Sequence, residues 1–404
     1  MNPDFISEIL SFIQIVFFVY IGITVLMLFV FSFASIFKYK PEVNPENPLK
    51  KIALLIPAYK EDEVILEVIE SALGHNYPRD RFDVILIADS FNPSTLKEFN
   101  DLDIILFSKD FEISTKSRAL NYALQRLDNS YDIACILDAD NLMEDDFLLK
   151  VNNAFCNGFA AVQGHRMAKN LNTSFAVLDA ISEEVNNKIF RKGQRVLGLS
   201  AFLIGSAMAF DYQLFKTMMA EVEVVGGFDK ELEMRLLSLH LKTEYLPEAK
   251  VLDEKVQNAR VFTKQRRRWL SAQFNFFGKK FLPSLRQLFT QGNFEYFFKA
   301  MTYLQLPRIL LLGVLSIMPV IAYFFSTLLW FQLWVTALFS LVLVFIFTIP
   351  KNFYNFRTLK ALLVLPKGIL LMAFSLLKIR KANEKFIHTK HTYNAFQIKR
   401  RKKP

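Results

Sequence analysis

The residues best suited to chemistry are Asp138 and Asp140, in the stretch ACILDADN at 134–141. Apolar residues lead into two carboxylates two positions apart. In a strand, residues i and i+2 point to one side, so both carboxylates would face one cleft at the end of a buried strand. There they could hold a hard divalent cation between protein and a substrate phosphate. The same pattern also fits a polar loop in which Asp138 or Asp140 caps the next helix. The elements around the pair have to decide.

From Lys51 onward, strand and helix patterns alternate. Residues 52–57, 82–88, 104–107 and 133–137 read as strands; 61–73, 96–100, 117–127 and 143–155 read as helices. A strand at 160–163, a helix-rich stretch at 171–190 and a helix at 232–241 follow. Residues 203–211 read as a strand with a tight loop at Gly205, where the backbone can approach closely. A basic amphipathic helix at 263–276 contains Gln265, three arginines and Trp269. Alternation of this kind predicts a parallel sheet covered on both faces, with ligands beyond the strand carboxyl ends. Tyr59, Glu61, Asp89, Asp138 and Asp140 all fall just after strands, so they can converge on one crevice.

The rest of the chain reads as membrane. Residues 9–37 and 309–350 carry no charge, and about 20 apolar residues cross a bilayer. The first run is too long, and its leading residues too acidic, for a cleaved signal peptide. Asp4 and Glu8 precede it, whereas Lys38, Lys40, Lys50 and Lys51 follow it. By the positive-inside rule the N-terminus lies outside and the next domain in the cytoplasm. The run at 309–350 reads as two spans joined near 326–332, with Arg308, Lys351 and Arg357 at cytoplasmic ends. Residues 361–377 carry Pro366 and Lys367 and read as an interfacial or re-entrant helix.

The expected organisation is a membrane helix at 1–40 and a cytoplasmic α/β domain at 50–260. Interfacial amphipathic helices at 261–304, a membrane hairpin at 305–350 and an interfacial or re-entrant helix with a basic tail at 351–404 follow. The protein is thus expected in the inner or plasma membrane. The net charge of +10 is concentrated near membrane segments and in the terminal KRRKKP. It favours an anionic lipid face over nucleic acid. Cys135 and Cys156 form no disulfide framework, and the five histidines give no zinc spacing.

Eight stretches, in order, resemble the membrane-bound family 2 glycosyltransferases, the group of the cellulose, hyaluronan, chitin and poly-N-acetylglucosamine synthases. They are IALLIPAYKEDEVI, ILIADS, KSRALNYAL, LDADN, VQGHRMAKN, IGSAMAF, GGFDKELEMRLL and QRRRW, spread over about residues 50–275. The resemblance implies a GT-A-like, Rossmann-type α/β domain that binds a nucleoside diphosphate sugar. It assigns Tyr59 and Glu61 to the base, Asp89 to the uracil or ribose and Lys116 to the diphosphate region. Asp138 and Asp140 become the site of Mg²⁺ or Mn²⁺, and Gln265, Arg268 and Trp269 the Gln-x-x-Arg-Trp segment. Asp229 takes the place of the base, with Phe228 where the family has Glu, and Glu231 is its competitor. A helix N-cap is the other reading of Asp229. The segment at 386–391 is similar to the family's C-terminal Trp-x-x-Thr-x-Arg, and fits a membrane-surface tail equally.

The residue types suit that chemistry. A cation on Asp140, shared with Asp138, would neutralise a leaving diphosphate. Arginine matches phosphate geometry, and Trp269 offers a flat apolar surface to a sugar ring. Arg266 and Arg267 also fit a juxtamembrane anchor. The expected reaction is inverting transfer from a UDP-sugar to a polysaccharide or lipid-linked acceptor. The alternatives are a non-processive glycolipid-forming transferase, a metal-dependent phosphohydrolase and a non-catalytic membrane scaffold on the same fold.

Overall fold

The computed structural model describes residues 3–41, 48–224 and 226–377; the tail segment at 386–391 lies outside them. The chain opens with helix α1 (Pro3–Ala34). Then come β1 (Ile52–Tyr59), α2 (Ile65–Leu73), β2 (Phe82–Asp89), α3 (Pro93–Lys97), β3 (Ile105–Ser108), α4 (Lys116–Leu124) and β4 (Ile133–Ile136). The middle holds β5 (Leu142–Met143), α5 (Phe147–Cys156), β6 (Ala161–Ala168) and α6 (Ser174–Asn186). A π-helical turn (Asn187–Gly193) joins α6 to α7 (Gln194–Val196). The domain continues with β7 (Met208–Asp211), α8 (Tyr212–Ala220), α9 (Phe228–Ser238) and β8 (Thr243–Asp253). The remainder is helical: α10 (Ala259–Gln291), α11 (Phe294–Thr302), α12 (Arg308–Phe325), α13 (Leu328–Thr348), α14 (Phe356–Leu362) and α15 (Leu365–Leu377).

The strands form one eight-stranded sheet in the order β3-β2-β1-β4-β7-β6-β8-β5. The expected parallel sheet holds only for β1 to β4. Beyond β4 the sheet is mixed, because β7 runs antiparallel to both β4 and β6 while β8 is parallel to β6. The expected helix at 143–155 begins instead at Phe147, since Leu142 and Met143 pair with β8. The short helix expected at 96–100 lies earlier, at Pro93–Lys97, with proline in its first turn.

Side-chain alternation along the strands builds two cores. Ile52, Leu54 and Ile56 face Ile65, Ile69, Phe147 and Val151 of α2 and α5. Ala53 and Leu55 share the opposite core with Leu120, Phe215, Leu232 and Leu236 of α4, α8 and α9. A third core joins α1, α6, α12 and α13 through Ile21, Leu28, Ile181, Leu315, Trp334 and Leu341.

Among the described residues, three helices are long and apolar enough to cross a membrane: Glu8–Ala34 of α1, together with α12 and α13. They carry a belt of exposed apolar side chains, among them Phe12, Ile23, Phe324 and Leu329. Gln14 of α1 hydrogen-bonds Ser326 in the α12–α13 turn at 3.2 Å. The far end of α1 meets the sheet domain, where Phe31 packs against Gly193. A Cβ on Gly193 would stand 2.1 Å from the Phe31 carbonyl oxygen, so only glycine fits that crossing. Helices α14 and α15 form a bent pair at 45°, and Pro366 sits in the first turn of α15.

Candidate active site

The strand ends open into a cavity of about 550 Å³. Parallel pairing of β1 and β2 sets Tyr59 beside Asp89 at one rim. Lys60 and Ser90, just past these strand ends, take left-handed backbone angles (φ 54° and 60°), turning the chain sharply away. Asp89 is buried, and its Oδ1 accepts from the Ser90 hydroxyl at 2.9 Å and the Phe111 N–H at 3.4 Å. Tyr59 and Glu61 line the same end of the cavity.

Lys116 begins α4, which Thr115 caps by accepting from the Arg118 N–H. The Lys116 ammonium is ion-paired with Asp138 and donates to the Gly205 carbonyl at 2.6 Å. Gly205 has φ 89°, a conformation that presents this carbonyl at the cost of excluding other residues.

Asp138, Asp140 and Asp253 each bring one carboxylate oxygen within 4.8 Å of the others. Asn141 Nδ2 donates to Asp140 Oδ1 and to Asp253 Oδ1, both at 3.2 Å. The Glu254 N–H donates to Asp140 Oδ2 at 2.7 Å. These bonds orient two of the three acids. The capping alternative fails: α5 starts at Phe147 after Asp146, well beyond the pair. Three like charges at this separation repel, and an all-oxygen donor set suits a hard divalent ion.

A second layer of charge balances the acids. Arg166 Nη1 lies 3.6 Å from Asp253 and 3.9 Å from Asp138, and its Nη2 is 3.0 Å from Glu183. Lys255 lies 2.7 Å from Asp253 and 3.7 Å from Glu183. Burial opposes the charge on Arg166, but Asp253, Glu183 and Asp138 outweigh it and hold the group well above its ordinary range. Burial likewise opposes the Glu183 anion, yet Arg166, Lys255 and Arg191 hold its carboxyl far below the usual range.

Helix α10 supplies the opposite wall with Gln265, Arg266, Arg268 and Trp269. Burial pulls the Arg268 guanidinium down and nearby Asp138 offsets the shift. Trp269 is 39% exposed, and the Arg266 guanidinium lies over its ring at 4.4 Å while pairing with Asp179. Gln265 Oε1 is buried without a hydrogen-bond partner among the described residues. Arg267 does not line the cavity.

Asp229 and Glu231 diverge. Both sit in the first turn of α9, whose N-cap is Gly227 at φ 80°, so Asp229 is not the cap. Asp229 lines the cavity, and its Cγ would be 3.9 Å from a Cβ placed on Gly205. Glu231 is outside the lining and is held by Lys280 at 2.8 Å and Arg235 at 3.1 Å.

All the expected site residues, Tyr59, Glu61, Asp89, Lys116, Asp138, Asp140, Asp229, Gln265, Arg268 and Trp269, line this one cavity. Sequence reasoning missed Asp253, Lys255, Arg166 and Glu183. Asp253 ends β8, a strand disguised by Pro247 and by Glu244, Glu248 and Lys250. Its signal was the alternation of buried Ala249, Val251 and Asp253, the same strand-end logic that exposed Asp89.

A family model described as Glycosyltransferase like family 2 matches residues 48–272. A probable glycosyltransferase of Bacillus subtilis, YdaM, is 24% identical over 241 residues, covering 55% of this chain and 54% of its own. A beta-monoglucosyldiacylglycerol synthase of Synechocystis sp. is 24% identical over 259 residues, covering 60% and 51%. The chain therefore spans about half the length of these curated relatives. A mannosyltransferase of Pyrobaculum calidifontis, solved in complex with GDP-Man and Mn²⁺, has a TM-score of 0.58 at 17% identity, covering 91% of this chain and 99% of its own. It shares the GT-A-like α/β fold. Since the matched residues span more than half of the chain and carry every strand of the sheet, this protein belongs to glycosyltransferase family 2.

Proposed function

We propose that this enzyme moves a sugar, with inversion, from a UDP-sugar to a hydroxyl of a membrane-associated acceptor. The observation that carries the reading is the convergence, in one cavity, of Asp89 at a strand end, three grouped carboxylates and Asp229. Relatives named as a probable glycosyltransferase and as a beta-monoglucosyldiacylglycerol synthase, and the apolar helices of this chain, support it.

Tyr59, Glu61 and Asp89 hold the nucleoside. Lys116 and Arg268 face the diphosphate with positive charge. Asp138, Asp140 and Asp253 would hold Mg²⁺ or Mn²⁺, which supplies Lewis-acid neutralisation of the leaving diphosphate; Mn²⁺ in the Pyrobaculum enzyme supports this choice. Gln265 and Trp269 bound the sugar pocket. Asp229 takes the proton from the acceptor hydroxyl. As that oxygen bonds to the anomeric carbon from one side, the bond to the phosphate oxygen breaks on the other, and the electron pair leaves with UDP.

The acceptor is a lipid-linked sugar, a glycolipid precursor or a growing polysaccharide; glycolipid synthases among the relatives favour the lipid. The catalytic domain, residues 50–260, faces the cytoplasm in this reading. Residues 1–40 and 305–350 anchor it in the inner or plasma membrane, with 261–304 and 351–377 at the lipid surface.

Incubating membranes that contain the protein with radiolabelled UDP-sugars tests the proposal. Label should enter an organic-soluble glycolipid or a retained polymer. Free sugar phosphate formed without acceptor would instead indicate a phosphohydrolase. Label transfer from GDP-mannose alone would overturn the UDP assignment.

A further inference from the structure

The cavity continues past Asp229. Its wall there is built by Glu233, one turn along α9, and by Lys299 and Tyr303 at the end of α11. None of the three belongs to the donor machinery described above. Glu233 is 1% exposed and Tyr303 4%. Lys299 Nζ lies 2.6 Å from Glu233 Oε1 and 3.0 Å from the centroid of the Phe202 ring.

Burial pushes Lys299 down to about 8, with Glu233 opposing the shift. Burial pushes the Glu233 carboxyl up, and Lys299 opposes that shift without cancelling it. Burial, with the charges of Glu233 and Asp229, keeps the Tyr303 phenol protonated.

Two groups on this wall, the Glu233 carboxyl and the Tyr303 hydroxyl, have no hydrogen-bond partner among the described residues, the Lys299 contact with Glu233 Oε1 being an ion pair. Buried polar atoms are normally paired, so both point to a ligand that completes them. With Lys299 Nζ 2.6 Å from its Oε1, the Glu233 carboxyl offers acceptor oxygens to the cavity, and a ligand hydroxyl is the group that completes it. Asp229 already requires the hydroxyl that reacts. Glu233, four residues on and about 5–6 Å away between Cβ atoms, would take a second hydroxyl within the span of one sugar ring. A bare diacylglycerol has one hydroxyl, and its ester oxygens only accept. A sugar or polyol headgroup has donors to spare.

Resting on the transferase reading above, we propose that Glu233, Lys299 and Tyr303 form an acceptor subsite for a hydroxyl-rich headgroup. The acceptor is then a glycosylated lipid or sugar-chain end, not bare diacylglycerol. Lys299 holds the Glu233 carboxyl in place, and Tyr303 bonds a headgroup oxygen.

The test uses the full chain in a sugar-free detergent and follows UDP release from the UDP-sugars, alone and with octyl glucoside or 1,2-dioctanoylglycerol. Octyl glucoside should accelerate release several-fold more than dioctanoylglycerol. Tyr303→Phe removes a hydroxyl with no described hydrogen-bond partner in the protein. It should leave UDP binding intact and raise the half-saturating octyl glucoside concentration about fivefold, the worth of one hydrogen bond. Glu233→Gln should do the same more strongly. Equal or better acceleration by dioctanoylglycerol, no acceleration by either while UDP is released, or unchanged half-saturation in Tyr303→Phe overturns the subsite. Absence of UDP release from every UDP-sugar overturns the transferase reading instead.

Discussion

At the scale of single residues, the site is a set of acids sorted by their neighbours. Asp229 and Glu231 are two positions apart on one helix turn, yet only Asp229 lines the cavity, while Lys280 and Arg235 hold Glu231 outside it. Asp229→Asn should therefore keep donor binding and lose transfer by about 10²–10⁴-fold, the usual contribution of a general base. Glu231→Gln should transfer at a near-normal rate. The reverse ranking in steady-state assays would move the base to Glu231. Asp253 is argued from geometry alone. Asp253→Asn is expected to weaken Mn²⁺-dependent UDP binding by at least about 10–100-fold, the cost of losing an outer-shell partner, as read by equilibrium dialysis. Unchanged affinity would remove Asp253 from the metal site. Asp138 and Asp140 were legible because an apolar run leads straight into them. Asp253 was not, because charged side chains and a proline break the pattern of its strand.

At the scale of elements, the first half of the sheet was legible and the second was not. Strands β1, β2 and β4 are buried on both faces, so each reads as an apolar run. Strand β6 continues beyond its apolar start through His165, which bonds Tyr245, and Arg166, which lines the cavity. Its pairing with β8 slips between Gly164 and His165, opposite Pro247, and local patterning cannot anticipate such a break. The joint between α1 and the π-helical turn was equally hidden, because a glycine in a helical stretch reveals nothing of its contact. Gly193→Ala would force a methyl group into the Phe31 carbonyl. Overpacking costs about 1–3 kcal/mol, so the Tm of the detergent-solubilised variant should fall clearly. An unchanged Tm would mean that α1 does not pack there. Gly278, whose Cβ would meet nothing within 4 Å, is the matched control.

At the scale of the whole molecule, the apolar spans and the sheet domain share one continuous packing arrangement. Gln14 meets the α12–α13 turn at one end of α1, and Phe31 meets Gly193 of the sheet domain at the other. That polarity, combined with the basic residues after α1, predicts that Ser326 and Thr327 lie on the opposite side of the membrane from Asp89. A cysteine introduced at Thr327 should react with an impermeant thiol reagent added to intact cells. Labelling only after lysis would reverse the orientation. If the grouped carboxylates hold a divalent ion, sugar transfer by this protein depends on that ion. The most direct measurement is transfer of radiolabel from a UDP-sugar to an acceptor by the purified full chain, with Mn²⁺ or Mg²⁺ and then with EDTA. Transfer should require the ion, stop on chelation and be lost in Asp140→Asn while that variant melts like the parent. Transfer that persists in EDTA and in Asp140→Asn would contradict it.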